Sequence, residues 1–500
     1  AAKQVHLVHQ GMDVWSDKAF FYKKENRFDA FGNVRIVQGD SLVLTSKTVN
    51  YDGKIKLAVA KEQVMLDNKE MLLKTDTLYF DRMKSIAYYP ADGTVYDSLT
   101  TINSKRGTYI SDAKKYKFEN NVVVTNPDFT LTSARMDFYT ETKHAFFYGA
   151  TTIIGEDYVV RCREGFYNTD KKEGYFKKNA SIDYNNRNII GDSIYFNDTK
   201  KYASATQNIR ITDTINNSFI TGNYGQVFKE KDSAMVTHRA LAINLVELDS
   251  LFIHADTLIA TGPPERRIIR GFYDVRILKE DLSGKTDSIY FNQTSGRAKL
   301  IRRPISDRDL QYLTPQEIAD RNPILWSDES QMTGDEIHLT IDNEKEVLDS
   351  LLIYNNAFVI EQDSLDAANF NQIKGLQLKG KFKGKSLETV DVIQNTEMVY
   401  YLYDDETLEL TGIDKAICSA LRLDFVDSGI EKITFFTNPD GIVYPPEDLP
   451  ENTRQLLGFT WREDERIYSK EDLFHGIDLE HYSIKVKPAE IKGIPIELKR

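Results

Sequence analysis

The chain has 500 residues, 64 of them basic and 76 acidic, for a formal net charge of −12. That balance argues against a general nucleic-acid binder, which needs a basic surface, and 41% hydrophobic residues exclude a disordered polymer. Two cysteines exclude a disulfide scaffold and a Cys-rich zinc site, and no apolar run reaches the roughly 18 residues of a membrane-spanning helix.

The chain opens Ala1-Ala2-Lys3, an end that cleavage of a secretory signal is expected to leave. With no Cys at position 1, no lipoprotein anchor is expected there. His6 and His9 have the spacing of one helix face, but their surroundings read as strand, so no metal site is expected.

A repeat follows. Segments beginning at 46, 75, 104, 133, 162 and 191 (SKTVNYD, TDTLYFD, SKRGTYI, SARMDFY, CREGFYN, GDSIYFN) stand 29 residues apart. Looser copies begin at 222, 255, 286 and 334, with weaker echoes near Gly380 and Ser419. Within the period one column is aliphatic: Leu44, Leu73, Ile102, Leu131, Val160 and Ile189. A second is aromatic: Tyr51, Phe80, Tyr109, Phe138, Tyr167 and Phe196. A third is again aliphatic: Leu66, Val95, Val124, Ile153, Ile182 and Ile211. A fourth is mostly small: Ala58, Ala87, Ala145, Gly174 and Ala203, with Tyr116 the exception. Like residues at a fixed period stack, so each repeat is one structural layer.

Each period carries two turn signals, such as Asp52-Gly53 and Asn126-Pro127-Asp128. Two strands of about 11 to 12 residues therefore fill each period. Their alternation slips: Leu42, Leu44 and Ser46 share a face, then Val49 and Tyr51 continue with opposite parity. Such a slip predicts a bulge or sharp bend at the small residue, so each strand folds over a corner into two facing walls. Lys114, Lys143, Lys172 and Lys201 keep the period and read as solvated turn positions. Asp76, Glu164, Asp192, Asp256, Asp287 and Asp335 stand beside the corner and read as a solvated strand face. Cys162, in the small column, reads as buried filler, and a bond from it to Cys418 is not expected.

Thr314-Pro315-Gln316-Glu317 reads as a capping box that starts a short helix inside an insertion at 301–330. Repeats are expected over 1–300 and again over 331–435. A loop-rich segment follows at 436–500, with Pro445-Pro446 and Trp461. No nucleophile-elbow, HExxH, P-loop or dinucleotide pattern appears, and no enzyme or cofactor is expected.

The run Phe31-Gly32-Asn33-Val34-Arg35 to Gly39-Asp40, continuing through Leu42, Leu44 and Ser46 to Asp52, resembles the OstA-like domain of the lipopolysaccharide-transport family. The likeness recurs through about residues 28–345. It implies an all-β jellyroll, or β-taco, of antiparallel strands, here built from about ten to twelve repeats. It also implies a periplasmic location in association with the outer membrane, and an apolar groove that shelters lipid A acyl chains. The three ladders above would line that groove. The partners it implies are lipopolysaccharide and other jellyroll proteins of the transport system, especially the outer-membrane translocon, joined edge to edge. An envelope scaffold with a packed interior and no lipid is the alternative reading, and Phe459-Thr460-Trp461 is the expected partner-docking or capping element.

Overall fold

The computed structural model describes residues 5–476 except 10, 40–41, 70, 98, 185, 245–249, 281, 343–346, 385, 405, 427–428, 449 and 451–452. The alanines at the start and the last 24 residues of the C-terminal segment lie outside the described residues. The chain divides into two compact units. One comprises 1–248, 257–270 and 290–296, and the other 249–256, 271–289 and 297–500.

In the first unit the long strands pair antiparallel with their chain neighbours, as in Lys115–Asn126, Phe129–Tyr139, His144–Gly155 and Tyr158–Asn168. These strands hold 11 or 12 residues, as the turn spacing requires. Each pair breaks register once, between Glu119 and Val122 or between Arg161 and Glu164, where the parity slip places the corner. On one strand of most corners two residues take positive φ, among them Glu62-Gln63, Asn120-Asn121, Lys178-Asn179 and Gln207-Asn208, while in His144–Gly155 Gly149 alone does so. The opposite strand supplies the small residue. The hydroxyls of Ser46, Ser104 and Ser133 donate to the carbonyl two residues on, at 3.1, 2.9 and 3.0 Å. A bulge frees that carbonyl from the ladder, and a short side chain at the corner satisfies it.

The turns stack as well. Asp52, Asp81, Asn168 and Asn197 accept hydrogen bonds from backbone N–H groups two or three residues on. Asx turns of this kind explain why Asp and Asn recur there. The carbonyls of Lys114, Lys143 and Lys172 then accept from Thr140, Thr169 and Asp198 in the next layer at 2.9–3.1 Å.

In the second unit the strands lengthen to 16, 14, 18 and 17 residues: Val347–Gln362, Phe370–Lys383, Ser386–Tyr403 and Leu410–Val426. They keep the corner, with positive φ at Asn355-Asn356 and Gln394-Asn395. Cys418 stands in a corner position and donates to the Ala420 carbonyl at 3.1 Å. The capping box forms as read. Thr314 accepts from the Glu317 N–H and Glu317 from the Thr314 N–H, at 3.2 and 2.7 Å, opening the helix Pro315–Ala319. A second helix, Asp307–Leu310, is capped by Ser306. Its signal was the same kind of pattern, Ser306 three residues before Asp309, and the sequence reading missed it.

Candidate functional site

The register places the sequence columns on two rows inside the first unit. Along one wall Leu44 faces Leu66, Leu66 faces Leu73, and Leu73 faces Val95. The row continues through Ile102, Val124, Leu131, Ile153, Val160, Ile182 and Ile189 to Ile211. The two aliphatic columns of the sequence are thus one unbroken rail. Along the other wall every aromatic residue faces a small one: Tyr51 and Ala58, Phe80 and Ala87, Phe138 and Ala145, Tyr167 and Gly174, Phe196 and Ala203. Tyr116, the exception, faces Tyr109, with ring centroids 4.5 Å apart. Alternating large and small neighbours let rings lie over the row without crowding. At about 4.8 Å per strand, the rail from Leu44 to Ile211 runs roughly 55 Å.

Most of the sequence-selected residues are buried. Leu66, Leu73, Val95, Ile102, Val124, Leu131, Ile153, Val160, Ile182, Ile189 and Ile211 are, as are Tyr51, Phe138, Tyr167 and Phe196. Leu44, Phe80 and Tyr109 are only half-buried, and all three lie toward the N-terminal end of the rails. The walls touch across the interior: Phe129 meets Tyr167 at 5.5 Å and Tyr158 meets Phe196 at 4.7 Å between ring centroids. Phe118, Phe147 and Phe176, also 29 residues apart, are fully buried nearer the corner. The sequence reading missed them because their column also holds Ala60, Tyr89 and Ala205, which share no size class. Gly165 faces both Phe147 and Phe176, and a Cβ there would stand 2.4 Å from the Tyr175 carbonyl. Under one stretch of the mouth a cavity of about 20 Å³ is lined by Ile182, Ile189, Phe196 and Ala203 together with Asp157 and Lys201. That is room for about one water molecule.

The mouth between the walls is held by charge. Two of the periodic lysines reach across it, whereas Lys114 pairs with Glu141 and Lys201 with Asp198 on their own side. Lys143 reaches Asp97 at 2.9 Å and Lys172 reaches Asp128 at 2.8 Å, each from a turn of the aromatic wall to a turn of the aliphatic wall. Lys229 pairs likewise with Asp157. Further along the polarity reverses at one pair: Arg187 on the aliphatic wall meets Asp232 at 2.5 Å, while Arg267 meets Asp213 at 3.0 Å. The two ends of this seam differ in strength. Lys172 and Asp128 are 34% and 55% exposed, so their pair is worth at most about 1 kcal/mol. Arg267 and Asp213 are 3% and 11% exposed, and removing one partner there costs about 3–5 kcal/mol. Burial works to raise the Asp213 carboxyl, yet hydrogen bonds from Asn216 and Ile215 and the Arg267 charge hold it below the usual range.

The remaining candidates are structural. Corner carboxylates bind side chains of the positive-φ residues: Glu164 pairs with Lys178, Asp192 accepts from Asn208, and Asp335 accepts from Asn356. Among the described residues no group of three or more His, Cys, Asp and Glu side chains is placed to hold a metal. His6 pairs with Asp13 and stacks on Trp15, while the side chain of His9 lies outside the described residues. Both cysteines are free and buried.

The C-terminal segment crosses the strands of the second unit. Gln331 donates to the Thr460 carbonyl and accepts from the Arg462 N–H, both at 2.8 Å. Gln372 repeats the clamp on Arg454 and Leu456, again at 2.8 Å. Leu456 packs with Phe358, Ile360, Val399, Tyr401 and Ile413, with Phe459 and Trp461 alongside. Farther along, Glu465 pairs with Lys285 at 2.6 Å, Arg276 donates to the Asp472 and His475 carbonyls, and Phe474 meets His254. The alternation of each strand puts these partners on the outer side of their wall. Met332, Val359 and Ile373 face one another in one row, while Gln331, Ile360 and Gln372 form the next row, pointing the other way. Trp461 thus belongs to a strap over an outer face.

Residues 1–134 match the family model described as OstA-like protein. A similar solved structure is LptH of Pseudomonas aeruginosa, the LptA-homologous periplasmic component of the lipopolysaccharide transport device. It is 17% identical, covers 26% of this chain and 77% of its own, and has a TM-score of 0.14. No curated protein matches the sequence.

Proposed function

We propose, from the OstA-like character of residues 1–134, that this protein is a periplasmic carrier that binds lipopolysaccharide and helps deliver it to the outer membrane. The observation that carries this reading is the unbroken aliphatic rail beside a row of aromatic–small pairs. Parted walls would offer acyl chains many near-equivalent positions. Burial of about 0.8 kcal/mol per methylene supplies affinity, and the even ladder leaves no deep trap along the way. The partial exposure of Leu44, Phe80 and Tyr109 supports access for acyl chains toward this end of the rails. Edge strands pair with like domains of the transport system, including the outer-membrane translocon. The reading requires no catalytic step.

The filling of the interior by Phe118, Phe147 and Phe176 favours a second reading, an envelope scaffold whose rails are only core. Native mass spectrometry of protein purified from its own envelope separates the two. A carrier brings lipid A with it and loses it in folded Phe80→Lys and Phe138→Lys variants. A protein that arrives lipid-free and takes up no added lipopolysaccharide is the scaffold.

A further inference from the structure

Three lysines at the mouth occupy a conformation that disfavours them. Lys143, Lys172 and Lys201 have φ of 56°, 53° and 47°. In that left-handed region a side chain is disfavoured, and Gly or Asn is the usual choice. The turn needs the conformation, because it aims the carbonyl at the next layer. It does not need lysine. Yet an ammonium recurs there every 29 residues.

Each of these ammonium groups already has a carboxylate. Lys143 holds Asp97 and Lys172 holds Asp128 across the mouth, while Lys201 holds Asp198 at 2.7 Å in its own turn. All three lysines keep 28–35% of their side-chain surface exposed, so an anion can reach them from solvent. Beneath them lies apolar surface. The cavity that Lys201 and Asp157 line also touches Phe196 and Ala203 of one row and Ile182 and Ile189 of the other. Cationic groups at a seam directly over hydrocarbon are the complement of an anionic amphiphile.

We propose that this lysine ladder is a binding site for the phosphate groups of an amphiphile that enters sideways through the mouth. The proposal rests on the apolar-cargo reading above and adds the part of the site that reads the headgroup. Phosphate carries more charge than a carboxylate and offers three acceptor oxygens, so it displaces Asp97 and Asp128 from their lysines. That exchange releases the walls from each other while the acyl chains slip between them. Successive lysines stand two strands apart, roughly 10 Å. A headgroup can therefore pass from one to the next without leaving the seam. The opening ends where the buried guanidiniums of Arg187 and Arg267 hold Asp232 and Asp213, since the buried Arg267–Asp213 pair is not exchanged cheaply.

The test uses the full chain and two monomeric probes with the same tail, decyl phosphate and decyl glucoside, by titration calorimetry. Wild type is expected to prefer the phosphate by about tenfold. A Lys143→Gln, Lys172→Gln variant and an Asp97→Asn, Asp128→Asn variant both unfasten the same two staples. Only the first should erase the preference, and the second should enlarge it. Equal effects of the two variants on both probes would reduce the ladder to a fastener and overturn the proposal. Binding of both probes by wild type without preference overturns the ladder alone and leaves the apolar cargo standing. Binding of neither probe by any of the three proteins overturns the ladder and the cargo reading together.

Discussion

The Gln331 side-chain carbonyl accepts a hydrogen bond from the Arg462 N–H at 2.8 Å, 131 residues further along the chain, while its amide donates to the Thr460 carbonyl. Gln331 is 1% exposed, and one amide side chain does here what a neighbouring strand would do. It satisfies a donor and an acceptor of a segment that crosses the strands. Because Gln372 repeats the bond pair, the strap is fixed by backbone recognition at two points.

Replacing Gln331 or Gln372 with Leu should therefore free the strap. Each change orphans one buried N–H and one C=O, at a cost of about 1–3 kcal/mol per group. Limited proteolysis is expected to cut between 453 and 476 faster in either variant than in wild type. Unchanged cleavage would mean that Leu456 and its apolar neighbours alone hold the strap.

The far half of the strap should respond to acid. Burial raises the Glu465 carboxyl, but hydrogen bonds from Arg462 and Lys285 prevail and hold it at about 2. A depressed folded value means that its contribution is present above the unfolded value, near 4.3, and is lost as pH falls toward 2. The whole contribution is about 3 kcal/mol at most. The protection of strap amides, taken as exchange relative to the intrinsic rate at each pH, is expected to fall between pH 4.5 and 2 in wild type. In Glu465→Gln the protection should already be low at pH 6 and change less over that interval.

Phe147 and Phe21 provide a contrast in packing. Phe147 has no exposed surface and Phe21 is 63% exposed. Phe147→Ala is expected to cost about 3–5 kcal/mol in urea unfolding, and Phe21→Ala less than about 0.5 kcal/mol. A small loss at Phe147 would show that the walls collapse readily onto an emptied layer.

Burial pushes the Cys162 thiol up to about 12, against a hydrogen bond with the Glu164 backbone. It should resist iodoacetamide at pH 8 in the folded protein and react once the chain is unfolded, because the thiolate is the nucleophile. Ser104 and Ser133 hold the same corner with a hydroxyl. Cys162→Ser should therefore stay within about 1 kcal/mol of wild type, while Cys162→Leu should lose about 1–3 kcal/mol by overpacking.

Much of the interior was legible because it is periodic. Phe138 was found from its place in a six-membered column, and the register then put it opposite Ala145. Phe118 escaped because its column runs Ala60, Tyr89, Phe118, Phe147, Phe176 and Ala205, and the alanines at both ends break the size class. The lysine column was visible, but its task was not. Asp97 lies 46 residues before Lys143, on the facing wall, and only the closing of the walls brings them within 2.9 Å. The strap was invisible for a related reason. Gln331 reads backbone atoms, which leave no side-chain signature in the segment they hold.

The sequence by itself determined the layer, the corner and the two rows. A period of 29 residues with one parity slip leaves each side chain a single face to occupy. Only the tertiary structure decided how the mouth closes, where the rings of the two walls meet and which face the C-terminal segment covers. Those depend on groups brought together across walls or from distant segments, where neither strand periodicity nor hydrogen-bond register constrains which residues meet.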